Sequence, residues 1–500
     1  MMTIEQKVSI LEVMSNCVPP NASGEDEQNL VQNFLPLRSY SKLADDKVFL
    51  ITGGRGAGKT ELFRILTSHD GLSHVISEND KRRYTNLRKT CFIVGYIAKG
   101  EGSHIFPTSN VCTKWIKSKS TEEVLSFWAG MLFISLLHHF QEDTEIEGTV
   151  KRYLGEDAYV LLKESYMEIS QWWELMYSLE EKWESCLAAL DELLRNREEQ
   201  IFFTYDELDR ICTNYSELFL YIRGLLSFWF IHNDRFSNIK AKIFLRSDLY
   251  NAKALQFVDS SKMRSYRLEL KWDSLSLYRM LVKRLANAES TETIRYLQGI
   301  TGLLLPDKKD GLGYLPSDSE EVFRNFIDKV IGKYMGKTPK RGVSYAWVPN
   351  HIQDGNGELA PRPFLKCFAF AAEELLAHKD EIERLEEDRL ISPTRLQGAL
   401  SEVSQDRVDE LTKEEYQWLQ SLIARLRGKT MLMEKDEFLA MLKPEYWEEN
   451  EVPGRTDSEI FSILLTLGII METNDGRVNV PEIYLYGFGL KRKGGIKRPK

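Results

Sequence analysis

No two cysteines in this 500-residue chain stand in a C-x-x-C pair, and the six present (Cys17, Cys91, Cys112, Cys186, Cys212, Cys367) lie far apart. That spacing excludes a zinc ribbon and a disulfide framework, and scattered thiols among apolar neighbours fit a reducing compartment. Long apolar runs are also missing. The longest, Val124–Leu137, has 14 residues and is interrupted by Ser126 and Ser135, short of the roughly 18 a membrane-spanning helix needs. The start, Met1–Lys7, has no cationic stretch leading into a hydrophobic one, so no secretory leader is expected and the cytoplasm is the expected location. Positive charge is not in excess. Sixty-six Lys and Arg against 75 Asp and Glu leave a net charge of −9, which excludes a uniformly basic nucleic-acid coat but not local basic patches. Neither internal repeats nor low-complexity segments occur, and 43% apolar with 28% charged residues is ordinary globular usage. Recognisable Ser-His-Asp and Cys-His arrangements are lacking, as are H-N-H and P-D-x-D/E-x-K nuclease motifs. His138-His139 has no third metal ligand near it in sequence.

What is present is an alternation. At about 150 residues per domain the length predicts about three domains. Short apolar, β-branched runs at Val48–Thr52, Cys91–Tyr96, Ile201–Tyr205, Ala241–Leu245 and Tyr266–Leu270 predict strands. Between them lie helical patterns at Glu61–Leu66, Thr121–Phe140, Trp172–Arg197 and Glu217–His232. Strands alternating with helices predict an α/β domain with a parallel sheet, assigned to residues 47–287 after a lead-in of residues 1–46 with a short helix at Val8–Met14. The aromatic groups Phe127-Trp128, Trp172-Trp173 and Trp183 sit at apolar helical spacing and are expected in the core.

Gly53-Gly54-Arg55-Gly56-Ala57-Gly58-Lys59-Thr60 fits G-x-x-x-x-G-K-[ST] at every fixed position, with a strand before it and a helix after it. The glycines let main-chain N–H groups approach phosphate oxygens, and the helix that opens at Lys59 turns its positive end to the same anion. In such a loop the lysine reaches the β- and γ-phosphates and the Thr60 hydroxyl holds Mg²⁺. Gly53–Thr60 and the following Glu61 are therefore the expected binding site for ATP. A second box, Ile201–Tyr205 followed by Asp206-Glu207-Leu208-Asp209-Arg210, is a buried strand ending in two acids. A carboxylate there suits Mg²⁺ binding by Asp206, and Glu207 is placed to activate water. Asp206 or Asp209 as a helix N-cap is the structural alternative. Arg210 either pairs with Asp209 or faces a neighbouring subunit.

With these two boxes the chain resembles the additional-strand, catalytic-glutamate class of P-loop NTPases, and Asp206–Arg210 is most similar to bacterial KAP-, STAND- and AAA+-type ATPases found in phage-defence operons. The resemblance covers residues 40–290. It implies ATP hydrolysis with Lys59 and Glu207 as catalytic groups, Thr60 and Asp206 at the metal, and a homo-oligomer in which one subunit's arginine, Arg284 being a candidate, reaches another's nucleotide. It also places Arg246 or Ser247 where the class has a γ-phosphate sensor, an Arg246–Asp248 scaffold pair being the alternative, and Arg362 in Pro361–Leu365 as a phosphate sensor of a lid. The chain departs from the class pattern by a helical insertion of about 90 residues, at 100–199, between Lys59 and Asp206.

Residues 288–410 read as a helical lid. Within 411–490, helices at Glu414–Arg427, Lys435–Leu442 and Asp457–Leu467 precede a hairpin turning on Asp475-Gly476, the order of a winged helix. Six of the last ten residues, 491–500, are Lys or Arg. Beside a winged helix this basic tail is expected to contact DNA or RNA in a salt-sensitive way, with a solubilising tail as the alternative. Lys81–Lys89 is a second basic stretch, expected to be a solvated loop. The whole is expected to be an α/β P-loop NTPase with a helical insertion, a helical lid and a winged-helix-like end, working as an ATP-driven switch or motor. The other reading is a nucleotide-gated scaffold that controls a partner effector.

Overall fold

The apolar run before the glycine loop forms β1 (Leu50–Gly53), every residue of it buried. The computed structural model describes residues 2–19, 25–69, 71–76, 89–100, 102–117, 119–213, 215–251, 260–306, 308, 311–386, 388–448 and 452–492. With β2 (Thr90–Tyr96), β3 (Gln200–Tyr205), β4 (Ile239–Arg246) and β5 (Arg267–Glu269), β1 makes a parallel sheet in the spatial order β2-β3-β4-β1-β5. Seven of the eight residues of β4 are buried, as expected for a strand covered on both faces. The register pairs Gly53 with Arg246 and Tyr205 with Ile243, so the chain leaves β1, β3 and β4 at the same edge of the sheet. β4 lies between β1 and β3. This is an α/β P-loop NTPase sheet, in which a further strand separates the loop strand from the carboxylate strand.

These strands belong to one of two compact units, made of Asn21–Val31 and Pro36–Leu270. Its largest addition fills the interval between β2 and β3 with helices Ser109–Ile116, Thr121–His139, Thr144–Leu154, Glu156–Lys163, Ile169–Ser178 and Glu180–Asn196. Thr121–His139 starts on a capping box of Ser120 and Glu123, which satisfies two of the amides a helix start leaves open. It is buried on all sides from Phe127 to Leu137. Among the described residues, no helix is long and apolar enough to cross a membrane.

The rings of Phe127, Trp128, Trp172, Trp173 and Tyr221 meet at centroid distances of 4.9–6.4 Å. The indole N–H of Trp128 donates to Tyr221 O at 2.9 Å and that of Trp173 to Glu123 O at 2.6 Å. These aromatics are core, as their spacing predicts. Trp172–Arg197 reads as one helix in the sequence, but the structure divides it at Leu179. The first half packs on Thr121–His139 and the second on Thr144–Leu154, so the chain must turn to serve two partners.

The other unit comprises Met1–Pro20, Gln32–Leu35 and Lys271–Lys500. Its first helix, Ile4–Ser15, packs on Thr291–Gln298 and Pro361–Ala377, and the latter also packs on Pro393–Glu410. That last helix begins on a Ser392 cap with Pro393 in its first turn. Toward the C-terminus stand helix Leu419–Leu426, β6 (Thr430–Met431), helices Lys435–Leu439 and Asp457–Thr466, and then β7 (Met471–Glu472) antiparallel to β8 (Val478–Asn479). Gly476 takes φ +82° in the turn between them, a conformation glycine adopts freely. β9 (Lys491–Arg492) runs parallel to β6. The rest of the basic tail, 493–500, and the stretch 81–88 lie outside the described residues.

Candidate functional site

At the edge where β1, β3 and β4 end, the loop Gly53–Thr60 closes over the start of helix Lys59–Thr67. Gly56 and Gly58 adopt φ +73° and +91°, which any side chain would strain. A Cβ on Gly53 would lie 3.1 Å from Ala57 Cβ and 3.2 Å from Leu270 Cβ, so the loop is drawn tight there. The helix has no side-chain N-cap at Gly58, leaving first-turn amides for another acceptor. Lys59 folds back over the loop, its Nζ donating to Gly53 O at 2.9 Å and Gly54 O at 2.8 Å. Burial pushes its pKa down to about 8, with Asp206 pulling the other way. Glu61 sits in the first turn, where its charge acts on the Tyr40 phenol. Arg55 is half-buried in the loop.

Asp206 follows β3 directly, its N–H donating to Tyr96 O at 3.0 Å. It is 3% exposed. The Thr60 hydroxyl and the Glu207 amide lie near enough to its carboxylate to favour the charged form, yet burial outweighs them and raises its pKa to about 6. Oδ2 has no hydrogen-bond partner. An unpaired buried carboxylate oxygen is costly, and it is the kind of acceptor a bound cation would satisfy. Thr60 and Asp206 therefore meet although 145 residues separate them. Two more buried oxygens at this edge have no hydrogen-bond partner, Thr52 Oγ1 and Ser247 Oγ.

Glu207 is the N-cap of a short 3₁₀ turn, Leu208–Arg210, at φ +52°, ψ 31°, an uncommon conformation for a residue with a side chain. Its Oε2 accepts from the Lys99 amide at 3.0 Å and its Oε1 from Arg210 Nη1 at 3.0 Å. Burial raises its pKa while Arg210 opposes the rise. Among the described residues, Arg210 thus pairs with Glu207 and not with Asp209. In a 3₁₀ turn, residues three apart eclipse, which brings 210 onto 207. Asp209 meets Arg246 instead, Nη1 to Oδ2 at 3.4 Å, and Arg246 also holds Asp248 through Nε at 3.1 Å and Nη2 at 2.9 Å.

Arg362 and Arg284 stand in the other unit. Arg362, in the first turn of Pro361–Ala377, has its Nε 3.8 Å from Glu410 Oε1. Sequence reasoning passed over Lys99, whose main-chain amide carries no residue-type signature. The glycines at 100 and 102 that follow it were the available hint. It also passed over Thr113, whose hydroxyl meets the segment after Arg210.

No family model matches the chain, and no curated protein does. Among solved structures it is similar to the Aeropyrum pernix ORC2 protein in ADPNP–ADP complexes, at 13% identity and a TM-score of 0.31, with 93% of this chain and 99% of that one covered. A likeness at that score carries no argument, and the fold rests on the sheet order and the glycine loop.

Proposed function

We propose that this chain is an ATPase that binds ATP with its phosphates along Gly53–Thr60 and hydrolyses it, acting as a nucleotide-driven switch or motor. The observation that carries the reading is the meeting of Thr60 with Asp206, whose Oδ2 is buried and open, beside a glycine loop and Lys59. Thr60 and Asp206 are the residues to hold Mg²⁺, directly or through its waters. Bound there, Mg²⁺ supplies positive charge against the β- and γ-phosphate oxygens. The main-chain amides of Gly54–Thr60 orient the phosphates, and Lys59 exchanges its loop carbonyls for phosphate oxygens. Glu207 accepts the proton of the attacking water. Arg246, braced by Asp248 and Asp209, or Ser247 senses the γ-phosphate, and a sensor role for Arg362 rests on the resemblance alone.

The test is turnover. Lys59→Ala should lose binding of a fluorescent ATP analogue. Glu207→Gln should keep binding and lower phosphate release by about 10²–10⁴-fold, the usual worth of a general base. Wild-type turnover in Glu207→Gln would remove the assigned role.

A nucleotide-gated scaffold that controls a partner effector is the second reading, favoured by one observation: both oxygens of Glu207 are already engaged, which suits slow turnover. The resemblance to phage-defence ATPases makes a defence complex, a homo-oligomer and an effector partner part of the proposal. Nucleic-acid contact through the winged-helix-like end has weaker support. Helix Asp457–Thr466 contains no Lys or Arg, Arg477 is paired with Asp475, and Lys435 with Glu472. Turnover measured with and without double-stranded DNA, single-stranded DNA and RNA separates these cases.

A further inference from the structure

A cavity of about 260 Å³ opens inside the unit that holds Met1–Pro20 and Lys271–Lys500. Helix Ile4–Ser15 lines it with Gln6 and Ile10, and helix Thr291–Gln298 with Glu292, Arg295 and Tyr296. Residues three and four apart share one face of a helix, so the cavity is a groove between two packed helix faces. Its apolar part is Ile10 and Ile300, 1% and 5% exposed. Two charged residues complete it: Lys329 in the last turn of helix Glu320–Val330, and Asp388 between helices Lys379–Glu383 and Pro393–Glu410.

The walls are fastened to one another, yet two charges are left over. Glu292 accepts Gln6 Nε2 on Oε2 at 3.2 Å and Arg295 Nη1 on Oε1 at 2.7 Å, so its charge is spent inside the wall. The Tyr296 hydroxyl donates to Asp388 O at 3.4 Å, and Lys7 Nζ donates to Leu385 O and Glu386 O at 3.1 Å each. These bonds hold the loop that carries Asp388, whose carboxylate acts on Tyr296 and Lys7 through its charge alone. Among the described residues, neither that carboxylate nor the Lys329 ammonium has a hydrogen bond or an ion pair, with each other or with a third group. A free anion and a free cation thus line one groove with an apolar floor and do not meet. Arg295, 64% exposed, keeps N–H groups beyond the one given to Glu292.

A simple ion would satisfy one of these charges and be repelled by the other. A molecule with an amine and a carboxylate on a short apolar body answers both charges and the floor together, the mixture of apolar lining and few polar anchors that small-ligand sites show. We propose that this groove binds a free α-amino acid with an aliphatic side chain. Its ammonium sits on Asp388, its carboxylate on Lys329 and Arg295, and its side chain against Ile10 and Ile300. The site stands apart from the ATPase reading and does not depend on it.

The experiment titrates the full-length protein, without nucleotide, with leucine by calorimetry and follows the thermal midpoint alongside. Two analogues accompany it, 4-methylpentanoate, which lacks the amine, and 3-methylbutylamine, which lacks the carboxylate. Leucine should bind saturably and raise the midpoint, as any ligand of the folded state does. Each analogue should bind about 10–100-fold more weakly, the worth of one charge-assisted hydrogen bond, and Lys329→Ala and Asp388→Asn should each weaken leucine by a similar factor. Both substituted side chains are exposed, so the variants test the ligand and not the fold. No saturable binding of leucine, isoleucine, valine or methionine at millimolar concentration overturns the proposal. So does leucine binding that both variants leave unchanged, or analogues that bind as tightly as leucine, which would make the groove an apolar depression only.

Discussion

The two edges of the parallel sheet treat their buried carboxylates in opposite ways, although each also holds neutral oxygens without a partner, Thr90 Oγ1 and Asn233 Oδ1 at one and Thr52 Oγ1 and Ser247 Oγ at the other. At the edge where β4 begins, Lys240 donates to Asn233 O at 2.6 Å, and Lys242 to Val48 O at 2.6 Å and Asp45 O at 2.9 Å. Asp191 closes the same edge by accepting the amides of Ser237, Asn238 and Ile239. At the edge where β4 ends, Asp206 Oδ2, Thr52 Oγ1 and Ser247 Oγ have no hydrogen-bond partner, and Glu207 sits at positive φ. One edge spends its donors on holding the chain together. The other keeps a carboxylate oxygen in reserve at a cost to stability, which is what a cation-binding site requires.

The sharpest break of this contrast is chemical. Glu207→Gln at the open edge should reduce turnover by two or more powers of ten, about what a general base contributes, while a Lys242 variant should leave kcat per folded molecule unaltered. Phosphate release normalised to the folded fraction decides this.

The next effect is on stability, and its sign should differ between the edges. Lys242→Met strands two buried carbonyls and should cost about 1–3 kcal/mol in urea unfolding. Asp206→Asn removes a carboxylate that burial disfavours and should raise stability by about 1 kcal/mol at neutral pH, while weakening Mg²⁺-dependent nucleotide binding. A destabilised Asp206→Asn would mean that the open edge is held together by its acid.

The smallest effect is in pH dependence, where the two edges should slope oppositely. Lys242 has its pKa pushed down from 10.5 to about 7, chiefly by burial. Between those values the unfolded chain binds more protons, so this group makes stability rise with pH across that window. Asp206 is raised from 3.8 to about 6. The folded chain then binds more protons between those values, so stability falls as pH rises through them. Unfolding midpoints of wild type minus each variant across pH 4–10 isolate the two slopes, and slopes of the same sign would erase the distinction.

Much of this site was readable before any coordinates. A glycine loop is specified by residue type at fixed spacing, because only glycine tolerates Gly56 and Gly58 as they are placed, and the strand before it and helix after it follow from local patterning. Asp206 was found because a strand ending in acids is also a local feature. The pairings among Glu207, Asp209, Arg210 and Arg246 were not readable. They depend on a 3₁₀ turn and on which neighbouring strand brings its cation closest, and neither leaves a mark in the order Asp-Glu-Leu-Asp-Arg. The same holds for Leu179, where a helical pattern continues but the packing partners change, and for helix Ile4–Ser15, whose place among helices from the chain's second half is a long-range matter.

Trp128 offers a practical consequence. Its indole stands edge-on to Tyr205, the residue before Asp206, at 5.6 Å, and to Tyr96, whose carbonyl takes the Asp206 amide, at 6.2 Å. Ultraviolet emission from this ring, separated from that of the nine other tryptophans by difference against Trp128→Phe, thus reports on the carboxylate strand in an unlabelled sample.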